Sequence, residues 1–244
     1  MKKENARPYI AGFSALFLEA LVLLAMAAMV FFYGQQTPLM TGFIGVLIAV
    51  RFALLYERGD VIYFLLGVIA GGGNDVMSMW RGVYSYTPPT ILPVPIPVWM
   101  VVFWGLAFLF LRRLLRYSYF VEDKAPRLLN TPFLLDLVVV VAYRVIVYNY
   151  ASEPWLPGAL FAFILAVRVL LAPPTSRERT LMLLVLILGP FYESLLISGG
   201  LYNYQNPAFL GMPLWLIVYW VFIMRFIKAI FDWMEKRLPE AVYY

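Results

Sequence analysis

Four carboxylates fall inside long apolar stretches of this chain: Glu19, Asp75, Asp136 and Glu193. An ionised carboxylate is expensive in hydrocarbon, so such an acid faces a cavity, a partner or a reacting molecule. Burial keeps a carboxylic acid protonated, and a second carboxylate nearby strengthens the effect. A neutral acid of this kind is a proton donor, able to protonate an alkene or an epoxide of a lipid held in the membrane. Aromatic π faces around the pocket would stabilise the resulting cation. The fate of that cation sets the product: cyclisation, hydration or isomerisation. All four acids are candidate catalytic residues, with Asp75 and Glu193 first, because each stands beside a distinctive loop. Glu19 and Asp136 admit a second reading with equal weight, as ion-pair partners of Arg51, Arg168 or Arg144 that hold helices together.

The loops are alike. Asp75 stands seven residues before Gly82-Val-Tyr84-Ser-Tyr86, followed by a proline-rich run, Pro97-Val-Trp99 and Trp104. Glu193 stands seven residues before Gly200-Leu-Tyr202-Asn-Tyr204, followed by Asn206-Pro207, Pro213-Leu-Trp215 and Trp220. Tyrosines at period two predict extended backbone with both rings on one face. The glycines permit close backbone approach. Asn74, Trp80, Tyr84, Tyr86, Trp104, Tyr202, Tyr204 and Trp220 are therefore candidate substrate-binding residues. Asn74, like Asn203 and Asn206, either orients a carboxylic acid or serves the loop. Trp99 and Trp215 are expected in the aromatic belt at the membrane interface.

Positioning these groups is the task of a strongly apolar chain. Of 244 residues, 63% are hydrophobic and 14% charged, against about 45–50% apolar in soluble domains. The apolar runs are long enough to span hydrocarbon. The first, from about Pro8 to Tyr33, is too long for a signal-peptide core and is expected to be a span. There is no Cys and no His. Disulfide and thiol chemistry, His-ligated metals and His general bases are excluded, and no cofactor or metal is expected. The formal net charge of +5 is expected to sit in cytoplasmic loops rather than to bind nucleic acid.

The pattern predicts an all-α integral membrane protein of about eight transmembrane helices, near residues 9–33, 38–56, 61–81, 98–117, 132–150, 157–172, 180–199 and 213–233. The segment from Gly82 to Pro97 carries too many prolines for a helix. Phe17-Leu-Glu19 matches Leu134-Leu-Asp136, and Ala49-Val-Arg51 matches Ala166-Val-Arg168, both at an offset of 117. Asp75 matches Glu193 at 118, and Trp104 matches Trp220 at 116. These matches predict two parallel four-helix repeats, residues 1–121 and 132–244, joined by a cytoplasmic linker over 122–131. Lys2, Lys3, Arg7, Arg58, Arg112, Arg113, Arg116, Lys124, Arg127, Arg177, Arg179, Lys236 and Arg237 fall on one side of this topology, with Arg81 opposite. The bias predicts a multi-pass protein of the cell membrane with both termini cytoplasmic.

Asp75 with Gly82-Val-Tyr84-Ser-Tyr86, and Gly211-Met-Pro213-Leu-Trp215, resemble motifs of the heterodimeric or fused lycopene cyclases and of the related carotenoid hydratases. The family's Glu pair after Pro-Leu is replaced here by Trp215-Leu216. The resemblance covers about a third of the chain and implies a cofactor-independent terpenoid or carotenoid cyclase or hydratase. The leading expectation is therefore an acid-catalysed isoprenoid-modifying enzyme acting on a hydrophobic lipid. The alternatives are a proton- or cation-coupled transporter, with the acids binding the ion, and a non-enzymatic lipid-binding membrane protein.

Overall fold

The computed structural model describes residues 12–90, 95–116, 130–153, 155–235 and 237. Eight helices account for most of them: α1 (Gly12–Tyr33), α2 (Thr37–Leu55), α3 (Asp60–Trp80), α4 (Val98–Arg116), α5 (Thr131–Tyr150), α6 (Leu156–Leu171), α7 (Ser176–Ser198) and α8 (Leu214–Glu235). Seven are long and apolar enough to cross a membrane. The exception, α6, has 16 residues, about 24 Å of helix against roughly 30 Å of hydrocarbon. The chain is an all-α, multi-pass membrane protein. The expected linker and most of the terminal lysines and arginines lie outside the described residues.

Local sequence explains where the helices begin. Pro38, Pro132 and Pro157 sit in the first turns of α2, α5 and α6, where a missing N–H costs nothing. The Asn130 side chain accepts the Phe133 N–H at the start of α5. Thr175 and Glu178 form a reciprocal capping box on α7, satisfying two otherwise orphaned donors.

Two helices form the centre. The apolar windows of α4 and α8 are each 56% buried, against 17–33% for the other spans. Around α4 pack α1, α2 and α3, and around α8 pack α5, α6 and α7; α4 and α8 also touch each other. Trp99 and Trp215, at the starts of α4 and α8, are buried in this core. They are not interface-belt residues, because helix packing encloses both rings.

The same stop signal ends α3 and α7. Gly82 N–H bonds to the Met79 carbonyl and Val83 N–H to the Ser78 carbonyl; Gly200 and Leu201 do the same with Ile197 and Leu196. This is the Schellman pattern, which needs a left-handed residue. Gly82 and Gly200 supply it, with φ of +70° and +71°. The chain then leaves each helix as a three-residue strand, β1 (Tyr84–Tyr86) and β2 (Tyr202–Tyr204). The strands pair antiparallel, Tyr84 opposite Tyr204 and Tyr86 opposite Tyr202. The extended Gly-x-Tyr-x-Tyr segments are as expected. Their pairing with one another stitches the ends of α3 and α7 together.

Candidate functional site

Asp75 and Glu193 lie at the inner face of this two-stranded ribbon. In an antiparallel pair, residues directly opposite share a face, so all four tyrosine rings stand on one side. The rings form a continuous cluster: Tyr84 to Tyr204 and Tyr86 to Tyr202 are each 5.3 Å between centroids. Ser85 and Asn203 occupy the opposite face.

Asp75 is nearly inaccessible and fully engaged. The Tyr84 hydroxyl donates to Oδ1 at 2.6 Å, the Tyr86 hydroxyl to Oδ2 at 3.2 Å, and Trp104 Nε1 to Oδ2 at 2.8 Å. Three protein donors thus occupy both oxygens of the buried carboxyl group. Burial, followed by the Asp75 charge, pushes the Tyr84 and Tyr86 hydroxyls well above the ordinary phenol range, so both stay neutral donors. Tyr204 is raised in the same direction by burial and then by Glu193.

Backbone irregularities place Trp104. The segment Val68–Gly72 of α3 is π-helical, a local widening frequent at functional sites. A Cβ on Gly71 would lie 2.4 Å from Trp104 Cγ. Only glycine lets the indole approach α3 closely enough to reach Asp75, one helical turn away. On α7, a Cβ on Gly189 would meet Trp220 at 2.9 Å, and Pro190 follows it.

Glu193 is built differently. The Tyr202 hydroxyl donates to its Oε2. Trp220 Nε1 and the Tyr204 hydroxyl also face the Glu193 carboxylate, and the buried Trp220 Nε1 falls short of a well-formed hydrogen bond. The Tyr192 hydroxyl is buried and unpartnered. Both rings are held by stacking across the α4–α8 centre, Trp220 on Trp104 at 6.4 Å and Tyr192 on Phe103 at 6.1 Å.

Of the sequence candidates, Asp75, Glu193, Tyr84, Tyr86, Tyr202, Tyr204, Trp104 and Trp220 converge here. Trp80 does not: its ring is 67% exposed at the end of α3. Asn74 is half-buried one position before Asp75, and its carbonyl accepts the Ser78 hydroxyl. Asn206 serves its loop by donating to the Ala151 carbonyl at 3.0 Å. Arg144, Ser78, Tyr219 and Tyr192 were not foreseen at this site. Arg144 donates to the Tyr219 hydroxyl and, at 3.4 Å, to Ser78 Oγ. The carboxylate partners considered for it are not the ones it meets.

Glu19 and Asp136 lie elsewhere, as ion-pair partners. Arg51 Nε donates to Glu19 at 2.9 Å, and Arg168 grips Asp136 at 2.7 and 2.9 Å. Both pairs join residues 32 positions apart. Glu19 also takes Arg113 Nε at 2.8 Å, while Asp60 bridges Arg51 and Arg112 at 2.5 Å each. Arg113 is nine residues beyond Trp104 on α4, so this network sits about 13 Å along the helix from Asp75. The sequence treated Arg112 and Arg113 as loop charges, because position alone does not reveal that they fold back onto buried acids.

Comparison with known proteins adds the following. A family model for proteins of unknown function (DUF2878) matches residues 138–243. No curated protein matches. Two solved structures of MvINS, an Insig homologue from Mycobacterium vanbaalenii, share the fold. A cross-linked trimer of MvINS matches with a TM-score of 0.60 and 21% identity, covering 76% of this chain and 98% of that one. The second structure matches at 0.57 and 20%, covering 72% and 93%.

These neighbours overturn the leading expectation. Neither is a carotenoid enzyme, and the acid-catalysed isoprenoid cyclase, hydratase or isomerase is withdrawn. The geometry agrees with the correction. A catalytic acid must aim a proton at its substrate, whereas both oxygens of Asp75 accept hydrogen bonds from the protein's own side chains.

Proposed function

We propose that this chain is a non-enzymatic lipid-binding membrane protein. The outer cluster is its polar anchor, and the lipid's head is received on the Glu193 side. One observation carries the reading. Asp75 is saturated by Tyr84, Tyr86 and Trp104, while across the ribbon the Tyr192 hydroxyl is a buried donor without an acceptor and Trp220 Nε1 meets Glu193 only loosely. A buried unsatisfied donor costs about 1–3 kcal/mol. A carbonyl, ester or hydroxyl oxygen of an apolar lipid offsets that cost. The surrounding rings suit the adjoining hydrocarbon, and no bond needs to break.

The Insig-homologue fold of the neighbours supports a membrane-resident role. Two parallel four-helix repeats, 1–121 and 132–244, account for the matched cap, strand and ion-pair arrangements. The lysine and arginine bias supports cytoplasmic termini and a place in the cell membrane. The test is extraction of the lipids that copurify with the full chain, followed by the same measurement on Trp220→Phe and Tyr192→Phe. The reading expects a defined, oxygen-bearing lipid lost by about tenfold in either variant, with the protein still folded. A lipid chemically altered on incubation with the protein would instead restore an enzyme. A lipid content unchanged in both variants would remove the site.

A further inference from the structure

A cavity lies on the arginine-rich face of the molecule, apart from the tyrosine cluster. It encloses about 270 Å³ between the first turns of α5 and α7 and the last turns of α6 and α8. Its lining includes Asp136, Arg168, Glu178, Arg225, Lys228 and Asp232. Three of these are basic and three acidic, but they are not equally matched. Arg168 is held by Asp136 at 2.7 Å, and Lys228 is bonded to Asp232. Glu178 spends one oxygen on the Thr175 N–H at 2.9 Å.

Arg225 is the most loosely paired of the three cations of this lining. It is 6% exposed, and its Nε has no hydrogen-bond partner. Its nearest carboxylates, Asp136 and Glu178, stand at 3.8 Å each, beyond hydrogen-bonding distance. Nη1 reaches the Met182 sulfur at 3.4 Å, a weak acceptor. A buried guanidinium is costly unless its donors are met, and its planar fork matches the oxygens of a phosphate. Two helix N-termini converge on the same space, those of α5 and α7.

We infer that this cavity binds a singly charged phosphate group through Arg225, with Lys228 as a supporting charge. A single charge fits the lining better than a dianion, because Glu178 and Asp232 remain at hand to repel the second. The group can arrive on a phospholipid head from the adjoining leaflet or as free phosphate.

Two probes separate the sources, both applied to the full-length protein in detergent. Phosphatidylglycerol is titrated and counted by native mass spectrometry, with a diacylglycerol of the same chains as the phosphate-free control. Inorganic phosphate is titrated against the melting temperature. Wild-type protein is expected to retain phosphatidylglycerol, and Arg225→Gln to weaken that retention by about tenfold, the effect of one charge-assisted hydrogen bond. Diacylglycerol should bind without dependence on Arg225. Ala229→Leu keeps every charge and fills the cavity, so it should lose the same binding and decides the matter if Arg225→Gln fails to fold. Stabilisation of wild type by inorganic phosphate alone assigns a soluble source, and retention of phosphatidylglycerol alone assigns the lipid. Retention of neither probe, or equal binding by wild type and Ala229→Leu, overturns the inference.

Discussion

Residues 12–116 and residues 131–235 use similar side-chain types, and each set keeps buried donors without partners, Tyr63 and Trp99 in the first among them; the difference lies in how tightly the buried acids are held. Glu19, Asp60 and Asp75 are each met by two or more protein donors at hydrogen-bonding distance. In the second set, Tyr192 keeps an unmet donor beside Glu193, Trp220 meets that acid only loosely, and Arg225 stands 3.8 Å from both of its acids. Residue identity therefore does not decide whether a buried polar group is a brace or a receptor. A shortfall of about an ångström in reach does. The family model covers residues 138–243, which contain Tyr192, Trp220 and Arg225.

The largest expected asymmetry lies in the ion-pair networks. Arg51→Met removes one of the two close partners of both Glu19 and Asp60, leaving Arg113 and Arg112 to hold them, and is expected to cost about 3–5 kcal/mol. Arg225→Met removes two long ion pairs and a contact to sulfur, and replacing a loosely paired buried cation by an apolar side chain should cost under ~1 kcal/mol. Denaturation of purified protein in detergent measures both. Equal losses would erase the distinction between the two networks.

Next come the paired tryptophans. Trp104→Phe deletes the 2.8 Å bond to Asp75 and should cost about 1.5–3 kcal/mol, the range for a bond to a charged group. Trp220→Phe deletes only a loosely met donor and should cost less than Trp104→Phe, by about 1 kcal/mol. The same melts report both.

The glycine caps sharpen the comparison from the other side, since here the two halves should agree. Gly82→Ala and Gly200→Ala each force a Cβ into the left-handed region at a cost of about 1–2 kcal/mol. Unequal penalties would mean that the ribbon is held mainly from one side. Smallest of all, Trp80→Ala should leave stability within ~0.5 kcal/mol, because its ring is exposed.

Much of this was legible in the sequence for plain physical reasons. Apolar run length fixed the eight helices to within a few residues. A glycine followed by period-two tyrosines announced a helix stop and an extended strand. The ion-pair reading of Glu19 and Asp136 named the right partners in Arg51 and Arg168. What failed was the step from acid to chemistry. Asp75 looked like a proton donor because its hydrogen-bond partners were visible only as aromatic neighbours in the chain, not as donors aimed at both of its oxygens. The pairing of β1 with β2 was equally hidden, since it joins segments over a hundred residues apart that carry no register signal of their own. Trp99 and Trp215 misled in a familiar way: their positions at helix starts fit an interface belt, and only the packing of α4 and α8 shows them enclosed.

The most direct test puts Trp104→Phe and Trp220→Phe side by side in one native mass spectrometry experiment, counting bound lipid per folded chain. The outer cluster, closed on one side and receptive on the other, predicts that Trp220→Phe folds and arrives stripped of lipid. Trp104→Phe should be less stable, and the fraction that folds should keep its lipid. Lipid lost from Trp104→Phe and retained by Trp220→Phe would contradict the account.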